Sequence, residues 1–155
     1  MRANLIDHVG DVAADNLWPL RVVMRYNGSG SDLAAGDVVQ VDRGVTTFGQ
    51  GRAIKKQATA TPQDCLGGAL RAIPNGTWGE VVVEGQQDSV AMVTGVTAGQ
   101  QLFACNAVTG AAGQLVPGAA GDIVEVDYPM AGVCTTAEAS NLGSVRWTNP
   151  QKVSS

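Results

Sequence analysis

His8 is the only histidine in 155 residues, and it lies close to the start of the chain between Asp7 and Val9. General acid–base chemistry draws on a histidine or on convergent carboxylates, and a triad needs a nucleophile and an orienting acid around the imidazole. No such set surrounds His8, which reads as a solvated or interface side chain. Glu125 and Asp127 share one face of an alternating run and could offer oxygens to a hard cation. No loop of alternating Asp and Asn supports them, so they read as the wet side of a strand. Gly49-Gln50-Gly51 lacks the third glycine of a dinucleotide fingerprint, and Asn27-Gly28-Ser29-Gly30-Ser31 lacks the lysine of a phosphate loop. Asn75-Gly76-Thr77 matches the glycosylation pattern, but with no secretion signal it reads as a tight turn before a strand. The residues therefore predict no catalytic residue, no cofactor and no metal: the chain reads as a non-enzyme.

The cysteines, Cys65, Cys105 and Cys134, are three in number and far apart, with no CxxC pair. That spacing indicates neither a zinc site nor a disulfide framework, and unpaired cysteines are usually buried. Three reduced, mostly buried thiols are expected.

A different chemistry, that of recognition, gathers near the start. Trp18, Arg21, Arg25 and Tyr26 fall within one short segment. Trp, Tyr and Arg are the residues that anchor protein interfaces. These four are the candidate contacts to a partner or to a second copy. Trp78 and Trp147 lie elsewhere, and Trp78 reads as core because Leu142 matches it in a second copy of the same pattern.

That second copy organises the chain. Ala35-Gly36-Asp37 opens one strand-like run and Ala98-Gly99-Gln100 another; Gly68-Ala69-Leu70 through Val83 is matched by Gly132-Val133-Cys134 through Trp147. A unit of turn, strand, turn and strand does not bury its apolar face alone, so two copies should pack together. The repeat covers about 33–85 and 96–149. Short valine-rich runs bounded by glycine fill both copies: Val38 to Val41, Val81 to Glu84, Val90 to Thr94, Gln101 to Cys105, Ile123 to Tyr128 and Ser144 to Trp147. β-branched residues suit a pleated surface, and twenty glycines imply many turns. The expected fold is all-β with little helix, a compact antiparallel β-barrel or sandwich built from two related units. Lys55 to Thr61, the least apolar stretch, is expected to be an exposed loop.

Residues 1–31 stand apart from this body of residues 32–155. Leu5, Val9 and Val12 fall at helical spacing with Asp7, Asp11 and Asp15 on another side. Trp18-Pro19 ends that pattern. Leu20 to Tyr26 alternates, with Val22, Met24 and Tyr26 on one face. The segment reads as an N-terminal arm or first strand, followed by a flexible joint at Asn27 to Ser31.

Composition sets the outer bounds. A chain of this length forms one domain able to bury about 70% of its unfolded surface. A net charge of −4 without any run of Lys or Arg gives no reason to expect nucleic acid. No stretch approaches the roughly 18 apolar residues of a membrane-spanning helix, and Met1 to Gly10 holds no apolar signal core. Synthesis and folding in a cytoplasm are expected, without a membrane partner.

The succession Leu33-Ala34-Ala35-Gly36-Asp37-Val38-Val39, Cys65-Leu66-Gly67-Gly68-Ala69-Leu70 and Asn75-Gly76-Thr77-Trp78-Gly79-Glu80-Val81-Val82-Val83-Glu84-Gly85 resembles the small head decoration, or capsid cement, proteins of tailed bacteriophages. A weaker second copy follows in Thr97 to Leu102, Met130 to Cys134 and Val145-Arg146-Trp147. The resemblance spans residues 33–147 and rests mostly on turn and strand grammar. It implies a β-rich structural virion protein on the outer capsid surface, commonly a trimer, that clamps and stabilises neighbouring major capsid subunits. It implies no catalytic residue. Residues 1–31 have no counterpart in it. The competing expectations are a tail or head-fibre component, a small β-barrel enzyme, and a ligand-binding β module. The last needs an exposed aromatic platform, for which two Tyr, two Phe and three Trp are scant material.

Overall fold

The computed structural model describes residues 20–105, 111–118 and 130–151. His8, Trp18, the Glu125/Asp127 pair and the strand expected at Ile123 to Tyr128 lie outside those residues. Among them, nine strands run in chain order: β1 (Arg21–Asn27), β2 (Val38–Val41), β3 (Ala53–Lys56), β4 (Cys65–Ala69), β5 (Trp78–Ala91), β6 (Gln101–Ala104), β7 (Leu115–Pro117), β8 (Gly132–Ala139) and β9 (Leu142–Thr148). A 3-10 turn at Pro62–Asp64 is the one helical element among the described residues. The fold is all-β, as the short valine-rich runs predict.

The strands form one sheet in the order β1-β3-β2-β4-β5-β9-β8-β6-β7, and β5 also pairs with β1. The first five strands thereby close into a barrel, leaving no free edge among them. The long β5 belongs to both halves: Trp78 to Glu84 faces β1, and Glu84 to Ala91 pairs with β9. Met92 then bridges Leu115 in parallel, as Asn27 bridges Ile54 between β1 and β3. Strand for strand, β1 to early β5 corresponds to late β5 to β9.

The turns repeat as closely as the strands. Asp37 Oδ2 accepts the Ala34 amide at 2.8 Å, and Gln100 Oε1 accepts the Thr97 amide at 2.8 Å. Gly36 (φ 84°) and Gly99 (φ 90°) follow in the left-handed region, where a side chain is strained. Their amides donate to Ala69 and Cys134, each at 2.8 Å. The equivalence corrects the alignment by one residue at β8: Ala69 pairs with Val81 and Cys134 with Val145, so Ala69 answers to Cys134 rather than to Val133.

Two of the three buried apolar clusters among the described residues hold the halves. Leu33, Val39, Ile54, Leu66, Ala69, Ile73, Val81 and Val83 fill the first barrel. The other joins the second half to the outside of the first: Met92, Leu102, Leu115, Val145 and Trp147 pack with Val38, Cys65 and Val82. Neither unit buries this surface alone.

Three local expectations are corrected. Asn27 to Ser31 is a pinned turn and not a flexible joint. Asn27 is fully buried, its Nδ2 donates to the Ser31 and Ile73 carbonyls at 2.8 Å each, and its Oδ1 accepts from Ser29. Of the arm-or-first-strand alternatives, Arg21–Asn27 takes the second and is part of the barrel wall. Lys55 to Thr61 is not simply an exposed loop: Lys55 and Lys56 belong to β3, and Gln57 is fully buried with Nε2 on the Ala58 and Thr61 carbonyls. Salt bridges from Lys55 to Asp42 and from Lys56 to Asp37 explain how a lysine pair fits a strand. The run expected from Val90 ends as a strand at Ala91.

Cys65, Cys105 and Cys134 are free and buried. Burial first, and the nearby Cys105 second, push the Cys65 thiol up to about 12 from an ordinary 9.0. A buried thiol held protonated is a poor nucleophile. The folded protein should therefore resist a thiol reagent at pH 8, and the unfolded chain without reductant should titrate three groups; one group would mean a disulfide. Stability should follow the same shift. The contribution is whole below pH 9, where both states are protonated, and fades toward pH 12 as only the unfolded thiol ionises. Cys65→Ala should flatten that alkaline loss in a series of denaturant melts.

Candidate functional site

Alternation along β1 and β5 decides what reaches the surface. Val23 opposite Val81 points into the first barrel, so Val22, Met24 and Tyr26, opposite Val82, Glu80 and Trp78, point out. The second half covers one end of this outer face, and Val82 is fully buried there. The other end is bare: Met24 is 51% exposed and Trp78 43%.

Phe48, from the turn between β2 and β3, completes the bare end and is 48% exposed. Its ring centroid lies 4.8 Å from Tyr26 and 5.2 Å from Trp78, both edge-on, and Tyr26 lies 5.8 Å from Trp78. Edge-to-face rings at these distances attract beyond their buried area. The cluster is thus a preformed feature of the surface. Glu80, beside Trp78 on β5, is tied to Arg71 at 3.4 Å and gives the patch a charged rim.

The four residues singled out from sequence do not form one group. Tyr26 lies in the ring cluster. Arg21 is exposed at the start of β1, in register with Glu84 across a bulge. Arg25 faces the side of β1 opposite to Tyr26, is half-buried, and donates from Nη1 to the Met24 carbonyl at 2.8 Å. Trp18 lies outside the described residues.

Trp78 is corrected from core to surface. Leu142, its match in the second half, is equally exposed at 43%, so the equivalence was sound and the inference of burial was not. Phe48 was missed altogether. Its signal was its setting: an aromatic between Gly44 and Gly51, in a turn-rich stretch, has no strand face to bury it. The same rings supply an exposed aromatic group that the composition made unexpected.

Among the described residues no group of three His, Cys, Asp or Glu could hold a metal ion, and no helix is long and apolar enough to cross a membrane. No family model, curated protein or solved structure matches the chain.

Proposed function

We propose that the chain is a structural virion protein that binds the outer surface of an assembled phage head and stabilises it by bridging major capsid subunits, itself associating as a trimer. The observation that carries the reading is the exposed Met24–Tyr26–Phe48–Trp78 face on a closed barrel. Met and aromatic residues are enriched where protein surfaces meet, and a rigid wall presents them without an ordering cost on binding. The motif order over residues 33–147 supports the same reading. A protein that binds only the assembled shell stabilises it by mass action, and repeated weak contacts on one lattice reinforce each other.

A second reading, a carbohydrate- or ligand-binding module, is favoured by the same rings. Their mutual tilts of 57° to 63° count against it, because sugar stacking wants one flat ring face. Purified protein added to undecorated heads should show saturable uptake. Trp78→Ala should weaken that uptake by about 2 kcal/mol or more per site, while its thermal melt stays near that of the parent because the side chain is 43% exposed. Trp18→Ala should weaken uptake as well, if the segment before β1 also touches the shell. Absence of uptake by the unaltered protein overturns the reading, and a glycan-dependent thermal shift would replace it with the second.

A further inference from the structure

The sequence holds two Asn-Gly steps, Asn27-Gly28 and Asn75-Gly76. An asparagine before glycine is open to ring closure, because glycine has no side chain to shield its nitrogen or restrict its backbone. The fold treats the two steps differently. Asn27 is fully buried, and both ends of its side-chain amide are held: Nδ2 by the Ser31 and Ile73 carbonyls, Oδ1 by Ser29. Asn75 is exposed, in the turn that leads into β5. Thr77 closes this turn on the Pro74 carbonyl, from its amide at 3.2 Å and its hydroxyl at 2.7 Å. Gly76 takes the left-handed position of a type II turn, at φ 78°.

The two Asn-Gly turns clasp each other. The Gly76 amide donates to the Asn27 carbonyl at 2.8 Å, and the Asn27 amide to the Thr77 carbonyl at 2.9 Å. The Gly30 amide donates to Asn75 Oδ1 at 2.9 Å, and the Asn75 amide to Asp32 Oδ1 at 2.9 Å. The nitrogen able to attack the Asn75 side chain is thus bonded to a buried residue, and that side chain is held by the opposite turn. Both must let go before the ring can close.

We propose that Asn75 is a site of spontaneous deamidation, that the clasp sets its rate, and that isoaspartate formed there breaks up the ring cluster. The Gly76 nitrogen gives up its proton and bonds to Asn75 Cγ; the Cγ–Nδ2 bond breaks, and Nδ2 leaves as ammonia with that proton. Water then opens the succinimide. Attack at Cγ gives aspartate, whose carboxylate still accepts from Gly30. Attack at the main-chain carbonyl gives isoaspartate, which routes the main chain through Cβ and Cγ and lengthens it by one carbon. The turn is tight, and Trp78 follows two residues after Gly76 in register with Tyr26. The longer turn gives up the bond from Gly76 to Asn27 and shifts Trp78 against Tyr26 and Phe48. Local opening is enough to start this, since only hydrogen bonds between the two turns must break. The chemistry rests on the clasp alone; a loss of head uptake with age would rest on the head-binding reading as well.

The test incubates the full chain in mildly alkaline buffer beside a capped peptide spanning Ile73 to Gly79, and follows both by peptide mapping. Position 75 should convert about tenfold or more slowly in the protein than in the peptide, the scale of giving up several hydrogen bonds, while Asn27 stays intact. Asp32→Ala, at an exposed position, removes one bond of the clasp and should quicken conversion about threefold or more. Urea below the unfolding transition should quicken it too. Near-ultraviolet circular dichroism should lose ring signal as isoaspartate accumulates, whereas Asn75→Asp should keep it. Conversion as fast as in the peptide, none even in urea, Asn27 converting ahead of Asn75, an unchanged rate in Asp32→Ala, or a ring spectrum indifferent to isoaspartate each overturns the proposal. Fresh protein that never binds heads sinks the head-binding reading alone; normal uptake with any of those five outcomes sinks this one alone.

Discussion

Trp147→Ala is expected to lower the unfolding free energy by about 3–5 kcal/mol, the range for truncating a large buried aromatic. Trp147 is among the largest side chains fully buried in the structure, at 1% exposure. Its place is prepared by glycines: its register partners are Gly85 on β5 and Gly132 on β8, and a Cβ added to Gly68 would meet its ring at 2.9 Å. Its Nε1 donates to Gln87 Oε1 at 2.9 Å, and Gln87 Nε2 donates to the Ala69 carbonyl at 2.9 Å. Removing the indole opens a cavity between the halves and leaves the Gln87 acceptor buried and unpaired, a further cost of about 1–3 kcal/mol. Trp147→Phe should recover most of the packing and leave mainly the unpaired acceptor. Urea melts measure both variants; a loss below about 1 kcal/mol for the alanine would contradict the account.

Removing β1 should be more damaging still. A chain beginning at Gly28 loses the pairing of Arg21 to Tyr26 with β5 and the link to β3 that closes the barrel. It also loses Val22 and Val23 from the two apolar clusters, and Asn27, whose amide holds Ser31 and Ile73. The combined loss is comparable with the total stability of a domain, about 5–15 kcal/mol. The exposed edges of β3 and β5 would invite association. Circular dichroism and gel filtration should find an unfolded or aggregated product. A chain beginning at Leu20 keeps every strand of the barrel and should fold. If the Gly28 chain folds with an unchanged melting temperature, β1 is an appendage after all. The pair of truncations also separates folding from head binding, because only the longer product is expected to be competent for an uptake assay.

Local rules made much of this architecture legible in the chain. Short β-branched runs between glycines predicted strands at Val38 to Val41, Gln101 to Cys105 and Ser144 to Trp147, and the structure places β2, β6 and β9 there. The Gly36 and Gly99 turns were readable because a positive φ next to an Asp or Gln that closes the turn is a strictly local requirement. The duplication was readable for the same reason, since both copies obey the same local grammar.

Burial was not readable, because it depends on what another part of the chain covers. Val82 and Trp78 point to the same side of β5, yet the second half buries Val82 and leaves Trp78 at the surface. Nothing within the strand distinguishes them. Phe48 joined Tyr26 and Trp78 only because a turn folds back over β1, and Asn27 met Ile54 only through the parallel β1–β3 register. By itself the sequence determined an all-β, duplicated scaffold, through propensities that act within a few residues. The tertiary structure alone decided which apolar face stays bare and which charges stand together, because closing the barrel and docking the second half bring distant segments into contact.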